Sequence, residues 1–227
     1  MKKVLITPQG FSFVKDKIKN RFNSTFDYTF TGGIVNEKKK LKELLSNYHA
    51  LVIGSETLDK EIIDCAHNLE LVIRFGTSTE NIDEKYLKRN RIKLFKIKSS
   101  NTVEGVARLC VSFSLNYILN IHKHTNNASK QAWKRYMNLD PEKINIGLIG
   151  SGDIALSFYN YGKPFGFNYY YHSRNEKELF RKEGIKYFDL MKDLIVTCDI
   201  ISIHVPYNEE TKKLISNQEL SLFNNKL

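Results

Sequence analysis

The clearest chemical signal in the sequence comes from three small residues that follow an apolar run. Gly150, Gly152 and Ala155 match the spacing G-x-G-x-x-G/A, directly after Asn145–Ile149 and directly before a helical pattern. Here the first glycine permits a tight turn, the second lets a pyrophosphate approach the backbone, and Ala155 lets the helix pack closely on the strand. The first N–H groups of the helix would face that anion. The pattern predicts a dinucleotide site; a turn that binds no ligand is the alternative.

The end of the next predicted strand bears on which dinucleotide is bound. Ser173 lies 21 residues beyond Gly152, where an acidic residue would accept hydrogen bonds from the ribose hydroxyls of NAD. Serine carries no charge, and Arg174 follows it, which suits the 2′-phosphate of NADP. We therefore predict NADP or NAD as cofactor, with NADP preferred. An exposed loop arginine without a ligand is the alternative.

The elements that position these residues alternate between short β-branched runs and amphipathic segments, which predicts parallel sheets covered by helices. In the first hundred residues the predicted strands are 4–7, 50–54, 71–75 and 92–97, and the predicted helices are 13–22, 37–45, 60–67 and 84–89. After residue 140 the predicted strands are 145–149, 168–171 and 200–205, and the predicted helices include 153–161, 176–183 and 209–222.

A long helical pattern separates the two alternations. It runs from Thr102 to about His122 with an apolar face, and a polar and aromatic stretch containing Trp133 follows it. We place the domain boundary near residue 100, with this helix as the hinge. The predicted domains are therefore 1–100 and 101–227.

Composition and charge exclude several classes of protein. The 227 residues are 41% hydrophobic and 26% charged, as in a globular chain, and the net charge is +10. Only eight of the 35 basic residues are arginine, and the densest run, Lys38–Lys40, lies in a helical pattern with no aromatic platform after it. These features argue against nucleic-acid binding and suit attraction to a polyanionic small molecule.

The lengths of the apolar runs and the spacing of the cysteines indicate the cellular compartment of the protein. The longest apolar runs have three to four residues, far short of the roughly 20 of a membrane helix or the roughly 7–15 of a signal-peptide core. Cys65, Cys110 and Cys198 are widely spaced and have no metal-binding pattern. We expect no membrane contact and no metal, and buried thiols in a reducing cytoplasm.

Four stretches together resemble one enzyme family, the D-isomer-specific 2-hydroxyacid dehydrogenases, which include phosphoglycerate dehydrogenase and glyoxylate/hydroxypyruvate reductase. Arg74 to Asp83 (RFGTSTENID) is similar to the family's substrate loop, and Ser100 to Ala107 to the entry of its hinge helix. The glycine pattern at 147–155 is the third stretch, and His204-Val205-Pro206 with Glu210-Thr211 and Leu214-Ile215 is the fourth.

The resemblance implies two doubly wound α/β domains, a flavodoxin-like substrate domain over 1–100 that lacks its C-terminal return segment and a Rossmann NAD(P)-binding domain over 101–227 that is incomplete at its C-terminus. It also implies hydride transfer between NAD(P) and a small 2-hydroxy or 2-keto acid. Backbone amides of Phe75, Gly76 and Thr77 would bind the substrate carboxylate. The implied cofactor-binding residues are Asn101, Val106, Gly150, Ser151, Gly152, Asp153, Ile154, Ser173, Arg174, His204, Val205, Pro206 and Thr211. The region of the hinge helix and Trp133 would form a homodimer interface, or Trp133 would be a packed aromatic residue.

Three positions depart from the family pattern. Ser78 replaces the second glycine of the substrate loop, and Glu80 stands for its first aspartate. Asp153 stands where many relatives have arginine beside the pyrophosphate, and an acid there repels phosphate. We therefore expect weakened cofactor binding.

The family's catalytic histidine, glutamate and arginine have no counterpart at matching positions of this sequence. The family pattern places all three beyond the stretch that ends at Leu227, and none of the six histidines occupies the catalytic position. We expect the sequence to represent such a dehydrogenase without its catalytic end. The alternatives are a non-catalytic dinucleotide-binding or interaction protein that keeps the fold, and a basic nucleic-acid binder.

Overall fold

A computed structural model describes residues 1–22, 25–33, 38–76, 78–97 and 100–223. The chain divides into two compact units, 1–99 and 100–227. Both are parallel sheets flanked by helices, which confirms the predicted α/β class with two doubly wound sheets.

The first unit is a five-stranded parallel sheet in the order β2-β1-β3-β4-β5, the flavodoxin-like order. Its strands are β1 (Lys2–Ile6), β2 (Phe26–Phe30), β3 (Ala50–Ile53), β4 (Leu71–Phe75) and β5 (Lys93–Ile97). Its helices are α1 (Lys15–Phe22), α2 (Lys38–Leu45), α3 (Lys60–Asp64) and α4 (Glu84–Arg89). Apolar residues on one face of the sheet form a buried core that includes Leu5, Leu51, Val72, Leu41 and Ile62. The strand residues that alternate with them form a second, smaller cluster of Val4, Ile6 and Val52.

The second unit has a four-stranded parallel sheet in the order β8-β7-β6-β9, which is the 3-2-1-4 order of a Rossmann sheet. Its strands are β6 (Asn145–Ile149), β7 (Asn168–His172), β8 (Lys186–Tyr187) and β9 (Ile200–Ile203). Its helices are α5 (Ser100–Ile118), α6 (Ile121–Ser129), α7 (Asp153–Gly162), α8 (Glu178–Lys182), α9 (Met191–Thr197) and α10 (Asn217–Ser221). Helices α5 and α7 pack on β6 through a core that includes Ala107, Val111, Leu148 and Phe158.

Several predicted elements differ from the structure. Strands β2 and β8 were not predicted, and the predicted helix 13–22 begins with a 3₁₀ turn, Gln9–Val14. The predicted helix 102–122 ends at Ile118, because Asn120 adopts a left-handed φ of 51° and a second helix starts at Ile121. The predicted helix 209–222 is helical only over Asn217–Ser221, where Ser216 and Glu219 form a capping box.

In the part of the chain that the structure describes, no helix is both long enough and apolar enough to cross a bilayer. Among the same residues, no group of three or more His, Cys, Asp or Glu side chains could hold a metal ion.

Candidate functional site

The glycine-rich turn joins β6 to α7, and its two glycines have opposite surroundings. Gly150 has a φ of +105°, and a Cβ added there would lie 2.6 Å from the carbonyl oxygen of His204. Gly152 is extended, with a φ of −88°, and within the described residues a Cβ added there would meet no atom within 4 Å. Only a glycine therefore fits at position 150, whereas position 152 leaves open space beside the backbone.

The N-terminus of α7 opens onto that space. Gly152 is its N-cap residue and has no side chain with which to cap the first amides. Ser151 and Ile154 are half-buried, Asp153 lies exposed in the first turn, and Ala155 is fully buried against the sheet core. A helix N-terminus of this kind presents N–H groups and a positive dipole end to an anion. The turn thus fits the pyrophosphate of a dinucleotide.

A crevice of about 190 Å³ lies beside this turn, at the carboxyl ends of β6, β7 and β9. In an open parallel sheet, the carboxyl ends of the strands are where ligands bind. Six of the predicted cofactor-binding residues line it together: Gly150, Ser173, Arg174, Val205, Pro206 and Thr211. The other residues that line it are Ile149, His172, Met191, Asn208, Glu210 and Leu214.

The remaining predicted cofactor residues lie elsewhere. Asn101 and Val106 are exposed in the first two turns of α5, outside the described lining of the crevice. His204 contributes its backbone, which packs on Gly150, while its ring points toward Ser202 and Phe158, with Nε2 2.9 Å from the Ser202 hydroxyl. Burial lowers the pKa of His204 to about 4, so the ring is neutral at physiological pH.

The residues after β7 and β9 are fixed by local hydrogen bonds. The Ser173 hydroxyl donates to the carbonyl of Asn175 (2.7 Å), and the Ser173 carbonyl accepts from the hydroxyl of Tyr187 (3.1 Å). Arg174 Nη1 lies 3.7 Å from Glu210 Oε2, and both side chains are exposed. The strand ends therefore place one cation and one anion at the rim of the crevice.

The candidate substrate loop, residues 74–83, belongs to the first unit and is braced by Arg74. Its Nε donates to the carbonyl of Ser78 (2.7 Å), and its Nη1 donates to the carbonyl of Phe75 (2.7 Å). Burial lowers the pKa of Arg74, while the carboxylates of Glu56 and Glu80 oppose that shift. The guanidinium thus holds together the two flanks of Gly76.

The predicted carboxylate-binding residues of this loop are only partly described. Gly76 has a φ of +138°, and its amide donates to the carbonyl of Arg74 (3.1 Å), so a carboxylate would have to compete for that amide. Phe75 is partly exposed and stacks edge-on against Phe11. Thr77 lies outside the described residues.

One predicted side-chain role is wrong, and one residue without a predicted role lines the crevice. Trp133 is 90% exposed, so the packed-aromatic interpretation is wrong within this chain. Glu210, a motif residue of the fourth stretch with no predicted role, also lines the crevice. The signal available for it was topological, because β7 and β9 flank β6 in parallel and both end at the same edge.

Two family models match the chain. The D-isomer specific 2-hydroxyacid dehydrogenase, catalytic domain, matches residues 5–145, and the D-isomer specific 2-hydroxyacid dehydrogenase, NAD binding domain, matches residues 111–227. Among curated relatives, D-3-phosphoglycerate dehydrogenase of Methanocaldococcus jannaschii is 26% identical over 189 residues, covering 82% of this chain and 36% of that protein. Glyoxylate reductase of Korarchaeum cryptofilum is 27% identical over 190 residues, covering 81% and 57%. The chain thus spans less than two thirds of the length of these relatives.

Solved structures share the fold. Phosphoglycerate oxidoreductase from Vibrio cholerae superposes with a TM-score of 0.84 at 20% identity, covering 98% of this chain and 72% of that one. D-lactate dehydrogenase from Aquifex aeolicus, solved with NAD and lactic acid, gives a TM-score of 0.74 at 22% identity, covering 96% and 65%. At these identities the likeness establishes the fold.

Proposed function

Because the chain belongs to the D-isomer-specific 2-hydroxyacid dehydrogenase family, we propose that it binds NAD(P) on its second unit and serves hydride transfer to or from a small 2-hydroxy or 2-keto acid. The observation that carries the proposal is the open backbone at Gly152, at the uncapped N-terminus of α7. The bound cofactor would supply the hydride donor or acceptor. The residues of this chain would bind the cofactor and the substrate and orient them toward each other.

Each group of residues has a separate part in the proposal. The amides of the turn from Ser151 to Ile154 would hold the pyrophosphate, and the crevice between Ser173 and Thr211 would hold the adenosine half. In the first unit, amides around Gly76 would bind the substrate carboxylate, held in place by Arg74. Asn101, Val106 and the backbone of His204 would also contact the cofactor.

The finer choice of cofactor rests on Arg174. Its side chain is exposed at the crevice rim, and Ser173 beside it carries no charge. These two features support a preference for NADP, because the guanidinium can pair with a 2′-phosphate. The proposal includes a modest NADP preference.

A homodimer through the region of the hinge helix and Trp133 is also part of the proposal. Trp133 and Met137 are each 90% exposed, and Phe113 on α5 is 63% exposed. Exposed large apolar side chains of this kind are typical of contact surfaces between proteins.

Titration of the purified protein with NADH, followed by nicotinamide fluorescence, tests the cofactor site without requiring turnover. We expect saturable binding, and we expect Gly152→Val to weaken it by at least about tenfold, since the new side chain fills the space that the pyrophosphate needs. The melting temperature should stay unchanged, because position 152 has open space and an extended backbone.

The matched control is Gly10→Val. Gly10 also has no described atom within 4 Å of an added Cβ, but it lies in the first unit. This variant should bind NADH like the parent protein. Absence of NADH and NADPH binding by the parent, or full binding by the Gly152→Val variant, would overturn the proposal.

A further inference from the structure

The rim of the cofactor crevice carries a pair of opposite charges. Arg174 follows β7 and Glu210 lies in the loop after β9, and the two side chains approach to 3.7 Å between Nη1 and Oε2. Both line the same crevice as Ser173 and Gly150. The loop after β9 thus brings an acidic residue to the crevice in which the dinucleotide pattern, followed along β7 alone, finds only serine.

The backbone that presents Glu210 is fixed by a reciprocal turn. Asn208 Oδ1 accepts the N–H groups of Glu210 (2.9 Å) and Thr211 (3.0 Å). The Thr211 hydroxyl accepts the N–H of Asn208 (2.9 Å) and donates to the carbonyl of Pro206 (2.6 Å). The backbone from which the Glu210 side chain projects is therefore held at the rim independently of Arg174.

The ion pair itself holds Arg174 only weakly. The two side chains are 90% and 77% exposed, and pairs this exposed contribute little, because water screens them. Arg174 is free to leave Glu210 for a 2′-phosphate. The carboxylate left behind would repel that phosphate, whereas it could accept hydrogen bonds from unmodified ribose hydroxyls.

We propose that Glu210 is a specificity-determining residue of the cofactor site, which disfavours NADP(H), favours NAD(H) and so limits the preference that Arg174 creates. The inference rests on the proposed function, since it concerns the same site. It assigns opposite parts to the two members of one ion pair: the arginine favours the 2′-phosphate and the glutamate opposes it.

The test compares Glu210→Gln with Glu209→Gln by fluorescence titration with NADH and with NADPH at low ionic strength. Glutamine keeps the size of the side chain and an acceptor oxygen but removes the charge. We expect Glu210→Gln to raise the affinity for NADPH relative to NADH about fivefold to tenfold, which is the size of one nearby charge repulsion in water. Glu209 is the matched control, because it is 89% exposed, pairs with Lys212, and is outside the described lining of the crevice.

Competition with adenosine 2′,5′-bisphosphate and with 5′-AMP isolates the adenosine half. The bisphosphate should gain affinity in Glu210→Gln by the same factor, while 5′-AMP should not. An unchanged ratio in Glu210→Gln, or an equal change in Glu209→Gln, would overturn the inference and leave the proposed function intact. Failure of every nucleotide to bind the parent protein would overturn both.

Discussion

Two glycine-containing turns follow interior strands of the two sheets, and they are built in opposite ways. After β6, the turn at 150–152 is shaped by backbone alone, with Gly150 pressed against the carbonyl of His204 and Gly152 open to solvent. After β4, the space beside Gly76 is filled by the guanidinium of Arg74, whose Nη1 would lie 3.3 Å from an added Cβ. In the first turn the amide of Gly150 donates to the carbonyl of His172 (2.8 Å), and no side chain caps the N-terminus of α7 that follows; the second turn is held by a side chain.

The difference shows how each turn can bind an anion. At the β6 turn, the helix N-terminus supplies donors that fold into place with α7, so the site is preorganised by secondary structure. At the β4 turn, the amide of Gly76 already donates to the backbone carbonyl of Arg74. The Arg74 guanidinium binds the carbonyl of Phe75, so the geometry of this loop depends on the Arg74 side chain. Substitutions should therefore distinguish the two turns. The β6 turn should respond to added side-chain volume, and the β4 turn should respond to loss of the Arg74 side chain.

Replacement of Gly150 by alanine has the largest expected effect, and it acts on folding. The new Cβ would lie 2.6 Å from a backbone oxygen at a φ of +105°, so β6 and β9 would have to shift apart. We expect the free energy of unfolding, measured by urea denaturation, to fall by about 2–4 kcal/mol.

Gly152→Ala is the control in the same turn, where the extended backbone and open space accept a methyl group. Its free energy of unfolding should stay within about 0.5 kcal/mol of the parent. Equal losses in the two variants would show that the contrast between the two glycines is wrong.

The contrast between the turns explains what the sequence could predict. The β6 turn depends on residues close together in the chain, and the spacing of Gly150, Gly152 and Ala155 was enough to place it between a strand and a helix. The role of Arg74 depends on a guanidinium that folds back on its own loop, and no spacing rule describes that contact. Glu210 was missed for a related reason, because its neighbour Arg174 is distant in sequence.

The predicted helix boundaries are wrong where side chains compete with helical carbonyls for backbone amides. The pattern over 209–222 predicts a helix, but Asn208 takes the amides of Glu210 and Thr211 into a turn, so the helix starts only after Ser216. Likewise Asn116 accepts the amide of His122, and the long helix pattern divides at Asn120. The periodicity of apolar residues does not indicate where a side chain will accept a backbone amide in place of a helical carbonyl.

Arg74→Gln should have an intermediate effect, confined to the first unit. Glutamine cannot reach both the Phe75 and the Ser78 carbonyls, so two hydrogen bonds from a charged donor are lost. We expect the free energy of unfolding of that unit to fall by about 1–2 kcal/mol, with faster amide hydrogen exchange around Gly76.

Arg89→Gln is the control, an exposed arginine in the last turn of α4. NADH affinity should be unchanged in both variants, since the β6 turn lies wholly in the second unit. Exchange around Gly76 that is as slow in Arg74→Gln as in the parent would refute the bracing role.

Asp153→Asn should have the smallest effect and act on binding alone. Asp153 lies exposed in the first turn of α7, where its carboxylate favours the helix dipole but repels an approaching pyrophosphate. We expect NADH affinity to rise about threefold to fivefold and the free energy of unfolding to fall by less than about 1 kcal/mol. Asp193→Asn changes the same charge in the first turn of α9 and should leave NADH affinity unaltered. Since salt screens exposed charges, the gain in NADH affinity should shrink as ionic strength rises. A gain that does not change with salt, or one that Asp193→Asn shares, would mean that the carboxylate of Asp153 does not face the bound anion.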